Sequence, residues 1–172
     1  MAKLTAIELG NAMRAQYGHN VINLMPTNLY GPYDSFSAEY SHVIPGLIYR
    51  MHKAKIEKMK NFDIWGSGKP LREFLYVNDL ANAIKFIIEN DINDSLLNIG
   101  SGIEVSIKSI AESIKKVIGF DGELSFDQSK PDGNPRKLLD SSKILNYGWI
   151  PNIELIDGLE ITYKWYLDNL ES

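Results

Sequence analysis

Apolar positions along this 172-residue chain fall into short runs of two different periods, and the two alternate from end to end. Leu4, Ile7, Leu9, Ala12, Met13 and Tyr17 predict a first helix, with Gly18 standing where a left-handed glycine closes one. Val21 to Met25 is a mostly apolar run of the kind found in a buried parallel strand, ended by Pro26, which has no N–H for a ladder. Residues 26 to 40 carry no clear period and read as loop. A second helix is predicted from Ser41, with Pro45 in its first turn and Ile44, Leu47, Ile48 and Met51 along one face. Phe62 to Trp65 reads as a strand, Gly66 to Pro70 as a turn, and Glu73 to Val77 as another strand. Asn78 is placed to cap a third helix whose inner face is Leu80, Ala81, Ile84, Ile87 and Ile88. Leu96 to Gly100 is a further strand. Ser106 caps the next helix, with Ile107, Ile110, Ala111, Ile114, Val117 and Ile118 inward and Gly119 at its end. A strand at Glu123 to Phe126, a polar loop from Asp127 to Lys137, a short helix at Ser142 to Tyr147 and a last helix from Glu154 to Asn169 complete the chain.

This alternation predicts an α/β architecture with parallel pairing. Composition then removes several classes of function. The absence of cysteine excludes disulfides, thiolate zinc sites and cysteine nucleophiles, and three scattered histidines argue against a metal centre. A net charge of -4 gives no basic field for nucleic acid, so any anionic ligand must be held by a few local cations. No apolar run has the roughly 20 residues a membrane span needs, and Met1 to Gly10 has no signal-peptide pattern, so a cytoplasmic location is expected.

Candidate chemistry gathers at strand ends. Asn28 and Tyr30 follow a buried strand, where open α/β sheets bind ligands, although the same residues suit an ordinary Asn-Gly-Pro turn. The loop Lys130-Pro131-Asp132-Gly133-Asn134-Pro135-Arg136-Lys137 puts three cations into a stiff segment that reads as a diphosphate clamp or as a solvated turn. Arg72, directly before a strand, suits bidentate phosphate recognition, and Trp65 offers a face to a base or sugar. His42 sits at a loop-to-helix junction, as an acid/base group or as a packed first-turn residue.

Met25-Pro26-Thr27-Asn28-Leu29-Tyr30-Gly31-Pro32, Ser41-His42-Val43-Ile44-Pro45, Trp65-Gly66-Ser67-Gly68, Arg72-Glu73-Phe74-Leu75 and the Lys130 to Asp140 segment together resemble the GDP-L-fucose synthases, a branch of the extended short-chain dehydrogenase/reductase family. The resemblance runs over the whole chain and covers the family's C-terminal half or slightly more. It implies the C-terminal part of a Rossmann-type domain over residues 1–34. Residues 35–172 are then mainly the α/β nucleotide-sugar lobe, with returns to the sheet near 73–90. The implied activity is NADPH-dependent 3,5-epimerisation and 4-reduction of GDP-4-keto-6-deoxy-D-mannose. Lys3 would match the lysine of the family's Tyr-x-x-x-Lys motif, which holds the nicotinamide ribose and depresses the tyrosine pKa. Pro26, Thr27, Asn28 and Leu29 would border the cofactor, and His42 would be the acid/base group, also beside the cofactor. Asn28, Arg50, Trp65, Arg72, Asp132 and Lys137 would contact the GDP-sugar. No metal is implied, and a homodimer is. The motif tyrosine would precede Met1, and the Gly-rich phosphate loop is not among these residues. The chain therefore reads as part of a longer enzyme, inactive alone and prone to self-association. Two other functions remain open at this point. One is a GDP-sugar-binding module without catalysis, and the other is a related sugar-nucleotide epimerase or dehydratase, which Ser41-His42 and Asp132 to Lys137 oppose.

Overall fold

A computed structural model describes residues 1–37 and 40–170, so the expected loop at positions 38 and 39 lies outside the described residues. The elements are α1 (Ala2–Tyr17), β1 (Asn23–Pro26), β2 (Asn28–Tyr30), α2 (Val43–Ile56), β3 (Asn61–Trp65), β4 (Leu71–Tyr76) and α3 (Val77–Glu89). They continue with β5 (Leu96–Ile99), β6 (Glu104–Ser106), α4 (Ile107–Ile118), β7 (Glu123–Asp127), β8 (Arg136–Lys137), α5 (Ser142–Asn146) and α6 (Leu155–Asp168).

Pairing is parallel between β1 and β5, β2 and β4, β3 and β7, and β4 and β8. The exception is β6, which runs antiparallel to β4, so the expected parallel architecture holds with one reversed strand. Two apolar cores result. Ile22, Leu24, Leu75, Ala83, Ile87, Leu97, Ile99, Ile144 and Trp149 gather β1, α3, β5 and α5 into one layer. Ile44, Ile48, Met51, Phe62, Ile64, Ile110, Ile114 and Leu159 join α2, β3, α4 and α6 in the other. The long strand β4 serves both: Leu75 faces the first core, Phe74 and Tyr76 the second, as the alternation of strand side chains requires.

Helix α4 follows its sequence pattern closely. Ser106 Oγ accepts the Ser109 N–H at 3.0 Å, Ile110, Ala111, Ile114 and Ile118 are buried, and Gly119 closes the helix at φ 68°. Gly18 ends α1 in the same left-handed conformation, its N–H donating to Arg14 O.

Five expectations are corrected. Asn28 to Tyr30 is a strand rather than loop, because β4 offers a paired edge that three residues are too few to announce by period. Helix α2 begins at Val43 with His42 as its N-cap, not at Ser41. Asn78 is not a cap, since the chain passes from β4 into α3 without a turn and Tyr76 takes the N-cap position. The buried stripe of α3 is Asp79, Ala83 and Ile87, whereas Ala81, Ile84 and Ile88 are exposed. The physical reason is Asp79, whose two carboxylate oxygens accept the N–H groups of Asn152 and Ile153 at 3.0 and 3.1 Å and so turn that face inward. Lastly, the segment 127–137 is not loop throughout, because its last two residues form β8 beside Leu71 and Arg72.

Candidate functional site

The carboxyl end of β1, the strand β2 and the loop that follows it open onto a cavity of about 610 Å³. Lys3 from α1, Pro26, Thr27, Asn28 and Leu29 from the strand ends, His42 from the start of α2, Arg72 from β4 and Lys137 from β8 all line it. Residues scattered over most of the chain thus converge because β2 and β8 both pair with β4. This is the position that open α/β sheets give to ligands.

Each wall is fixed by identifiable bonds. Thr27 Oγ1 and Asn28 Nδ2 donate to the Glu73 carbonyl at 3.2 and 2.7 Å, which leaves the amide oxygen of Asn28 free to accept. Arg72 Nη1 donates to Leu71 O and Asn134 O, both at 2.7 Å, and holds the guanidinium against the segment that leads into β8. Gly133 lacks the side chain that would crowd Arg72 Nη2, since a Cβ there would sit 3.2 Å from it. His42 is exposed at the cavity edge, and among the described residues its ring makes no cap hydrogen bond. Among the described residues, Lys3, Arg72 and Lys137 line the cavity with one carboxylate, that of Asp34, so this part of the lining is cationic within an acidic chain.

Three of the residues expected at the site do not line this cavity. Arg50, on α2, lies over the Phe62 ring with its Cζ 5.2 Å from the centroid, and burial pulls its guanidinium below the ordinary value. Trp65 ends β3 and is 69% exposed. Asp132 accepts the Ser67 N–H at 2.8 Å and the Ser67 hydroxyl at 2.6 Å, which hold its carboxyl below the usual range. A side chain on Gly66 (φ 85°) would run into that carboxylate, so Asp132 ties the Gly66-Ser67-Gly68 turn to the basic segment. Of the three cations in that segment, Lys137 alone reaches the cavity. Arg136 is taken by Glu104 through Nε and Nη2, a pairing that lowers the Glu104 carboxyl and raises the guanidinium.

Tyr33, Asp34, Val43, Ile44, Phe74 and Val77 also line the cavity, and no period in the sequence marks them as site residues. For Tyr33 a signal existed only in the backbone: it adopts φ 66°, a strained conformation for a bulky residue, with its ring 5.1 Å from Trp165. Among the described residues no cluster of three or more His, Asp or Glu gathers as a metal site would require, and no helix is long and apolar enough to cross a membrane.

The structure thus sets Lys3, His42, Arg72 and Lys137 around one cavity at a Rossmann-type sheet end. The chain belongs to the NAD dependent epimerase/dehydratase family, whose model matches residues 1–100. It is 50% identical over 170 residues to GDP-L-fucose synthase 1 of Arabidopsis thaliana, covering 99% of this chain and 53% of that protein. It is 42% identical to the GDP-L-fucose synthase of Escherichia coli, covering 98% of this chain and 56% of that one. The crystal structure of a GDP-L-fucose synthetase from Naegleria fowleri bound to NADP matches 99% of this chain and 56% of its own, with TM-score 0.89 at 32% identity. The chain spans about half the length of the curated relatives it matches.

Proposed function

We propose that this chain provides the substrate-facing part of a GDP-L-fucose synthase, which epimerises GDP-4-keto-6-deoxy-D-mannose at C3 and C5 and reduces C4 with NADPH. The observation that carries the reading is the convergence of Lys3, Asn28, His42, Arg72 and Lys137 on one cationic cavity at the sheet end. The likeness in sequence to the Arabidopsis and Escherichia coli synthases supports it.

The residues present suit the nicotinamide end of the cofactor. Lys3 offers an ammonium for ribose hydroxyls, Pro26 to Leu29 form a strand-end shelf, and the cavity has room for a ring beside His42. Bound NADPH supplies the hydride for C4. The 4-keto group acidifies the protons at C3 and C5, so transfer of each to a base of the whole enzyme gives an enolate, and protonated His42 gives a proton back to carbon from the other face. Arg72 and Lys137 neutralise the diphosphate, Arg72 with the planar fork that phosphate oxygens match. Arg50, Trp65 and Asp132 are assigned to the nucleotide end, where Trp65 gives an exposed face for a base and Asp132 shapes the turn that presents it. A homodimer belongs to the same reading.

GDP titrated into the 172-residue chain in a calorimeter tests the proposal. Binding is expected, weakening as salt rises, and falling about tenfold for Arg72→Ala or Lys137→Ala through loss of one charge-assisted contact. A folded chain that gives no heat with GDP, or binds it equally well without Arg72, rules the reading out.

A further inference from the structure

Glu73 is fully buried, although its neighbour Arg72 reaches the cavity. No ion pair involves it among the described residues. Both carboxylate oxygens accept main-chain N–H groups instead: Oε1 from Gly102 at 2.7 Å and Oε2 from Leu139 at 3.2 Å. Its carbonyl accepts Thr27 Oγ1 and Asn28 Nδ2. Gly100 makes room for it, since a Cβ at that position would overlap the carboxylate. One residue therefore ties together the β1–β2 junction, the turn between β5 and β6, and the chain leaving β8.

Burying a carboxylate with no cation beside it is unfavourable, and an apolar side chain would fill the same space without that penalty. The bonds it makes point to a geometric task. Strand β8 is only Arg136 and Lys137, both exposed, and two residues on a sheet edge do not hold their own register. Its entry is fixed by the Leu71 N–H donating to Pro135 O at 2.9 Å and by Arg72 Nη1 on Asn134 O. Its exit is fixed by Glu73, through Leu139.

We propose that Glu73 is a positioning residue whose buried carboxylate latches the chain leaving β8 and so holds Lys137 level with Arg72 on the cavity wall. The proposal rests on the reading that this cavity takes a GDP-sugar. Replacing the carboxylate by an amide leaves one acceptor for two N–H groups, so either Gly102 or Leu139 loses its partner while the shape is kept.

The test uses the 172-residue chain, with GDP as probe in calorimetry and amide hydrogen exchange read by NMR at Gly102 and Leu139. For Glu73→Gln the expected result is exchange at one of the two amides at least tenfold faster, with GDP affinity lowered about tenfold. Lys137→Ala should then weaken binding less in the Glu73→Gln background than alone, because the latch and the lysine act as a unit. Unchanged GDP affinity in folded Glu73→Gln, or fully additive losses, would overturn the proposal. Should Glu73→Gln fail to fold, Gly100→Ala displaces the carboxylate from the other side and is judged by the same readouts. In the unmodified chain, a Leu139 amide that exchanges as fast as that of exposed Leu138 also overturns it. Absence of GDP binding by the unmodified, folded chain overturns the substrate reading instead, and the latch then stands if either the Gly102 or the Leu139 amide exchanges faster in Glu73→Gln and falls if neither does.

Discussion

Glu73 and Asp79, the two fully buried carboxylates of the described chain, stand on either side of the junction between β4 and α3 and use their oxygens in the same way, on main-chain N–H groups. Asp79 also acts at a distance: burial first, and its charge second, push the Tyr30 hydroxyl far above the ordinary tyrosine range, so Tyr30 stays a donor to Leu155 O. His42 differs from both, being exposed and, among the described residues, without a cap hydrogen bond from its ring, so its replacement leaves the buried packing intact. In an enzyme joining this chain to the nucleotide-binding half of a relative, His42→Gln is expected to slow solvent-deuterium exchange at C3 and C5 by about 10²–10⁴-fold, the usual contribution of a positioned acid/base group. Reduction of C4 should fall less, and exchange at the unmutated rate would remove His42 from the chemistry. Asp94 makes a further titratable contact, accepting from Lys143 at 2.5 Å and from the Tyr147 hydroxyl at 2.8 Å. The Lys143 hydrogen bond, and then that of Tyr147, hold its carboxyl below the usual value. A depressed pKa stabilises the folded state above the unfolded-state value and loses that contribution as pH falls through the folded one. Asp94→Asn should therefore cost up to about 1 kcal/mol at neutral pH, and urea melts of the two proteins should converge at acid pH. A constant difference down to pH 2 would contradict this.

At the scale of elements, legibility in the sequence followed how much of an element's surface is buried by neighbours distant in the chain. Helix α4 was readable to the residue, because its cap, its inward isoleucines and its terminal glycine are all local signals. Strands β2 and β8 were not, because two or three residues carry no period and exist only where β4 offers an edge. The α3 face was misread for a related reason: hydrophobicity favoured Ile84 and Ile88, while a buried aspartate bonded to residues 152 and 153 set the rotation. The site divided along the same line. Local pattern put Asn28 at a strand end and His42 at a helix start but left each open to an ordinary turn or packing role, whereas the roles of Glu73 and Asp132 depend on contacts with segments many residues away. Helix α1 carries this into dynamics. Its one buried residue is Gly10, against Val21 and Asn23, and its C-terminal end is pinned by Arg14, which donates to Asn20 Oδ1, Val21 O and Asn93 O. Few buried apolar contacts and exposed backbone mark a segment of low local stability. Amide exchange in α1 is expected to run faster than in α4, and Arg14→Ala to accelerate it further without changing α4. Equal protection of α1 and α4 would show that the helix has support beyond these contacts.

The chain as a whole leaves apolar side chains uncovered on two helices that flank the β1–β5 layer. On α1, Leu4 is 65% and Leu9 60% exposed, and on α3 Ile88 is 69% exposed beside the less exposed Ile84. Elsewhere in the same layer Leu97, Ile99 and Ile144 are fully buried, so the deficit lies on the outer faces and not in the core. Exposed patches of this kind on helices mark association surfaces, and covering one such side chain contributes about 1.5–3 kcal/mol. The net charge of -4 is too small to keep copies apart at physiological salt, where screening acts over about 8 Å. The 172-residue chain is therefore expected to self-associate in a concentration-dependent way, seen as a rising mean mass in light scattering. Leu4→Glu with Leu9→Lys should reduce that mass if α1 provides the contact, and Ile88→Glu should do so if α3 does. Leu4 and Leu9 lie on the helix that carries Lys3 and Ile88 lies on α3, but none of the three lines the cavity, so GDP binding serves as the control for an intact fold. A monodisperse monomer at every concentration, with GDP binding retained, would mean that these faces are satisfied by solvent and that association has no part in the behaviour of this chain.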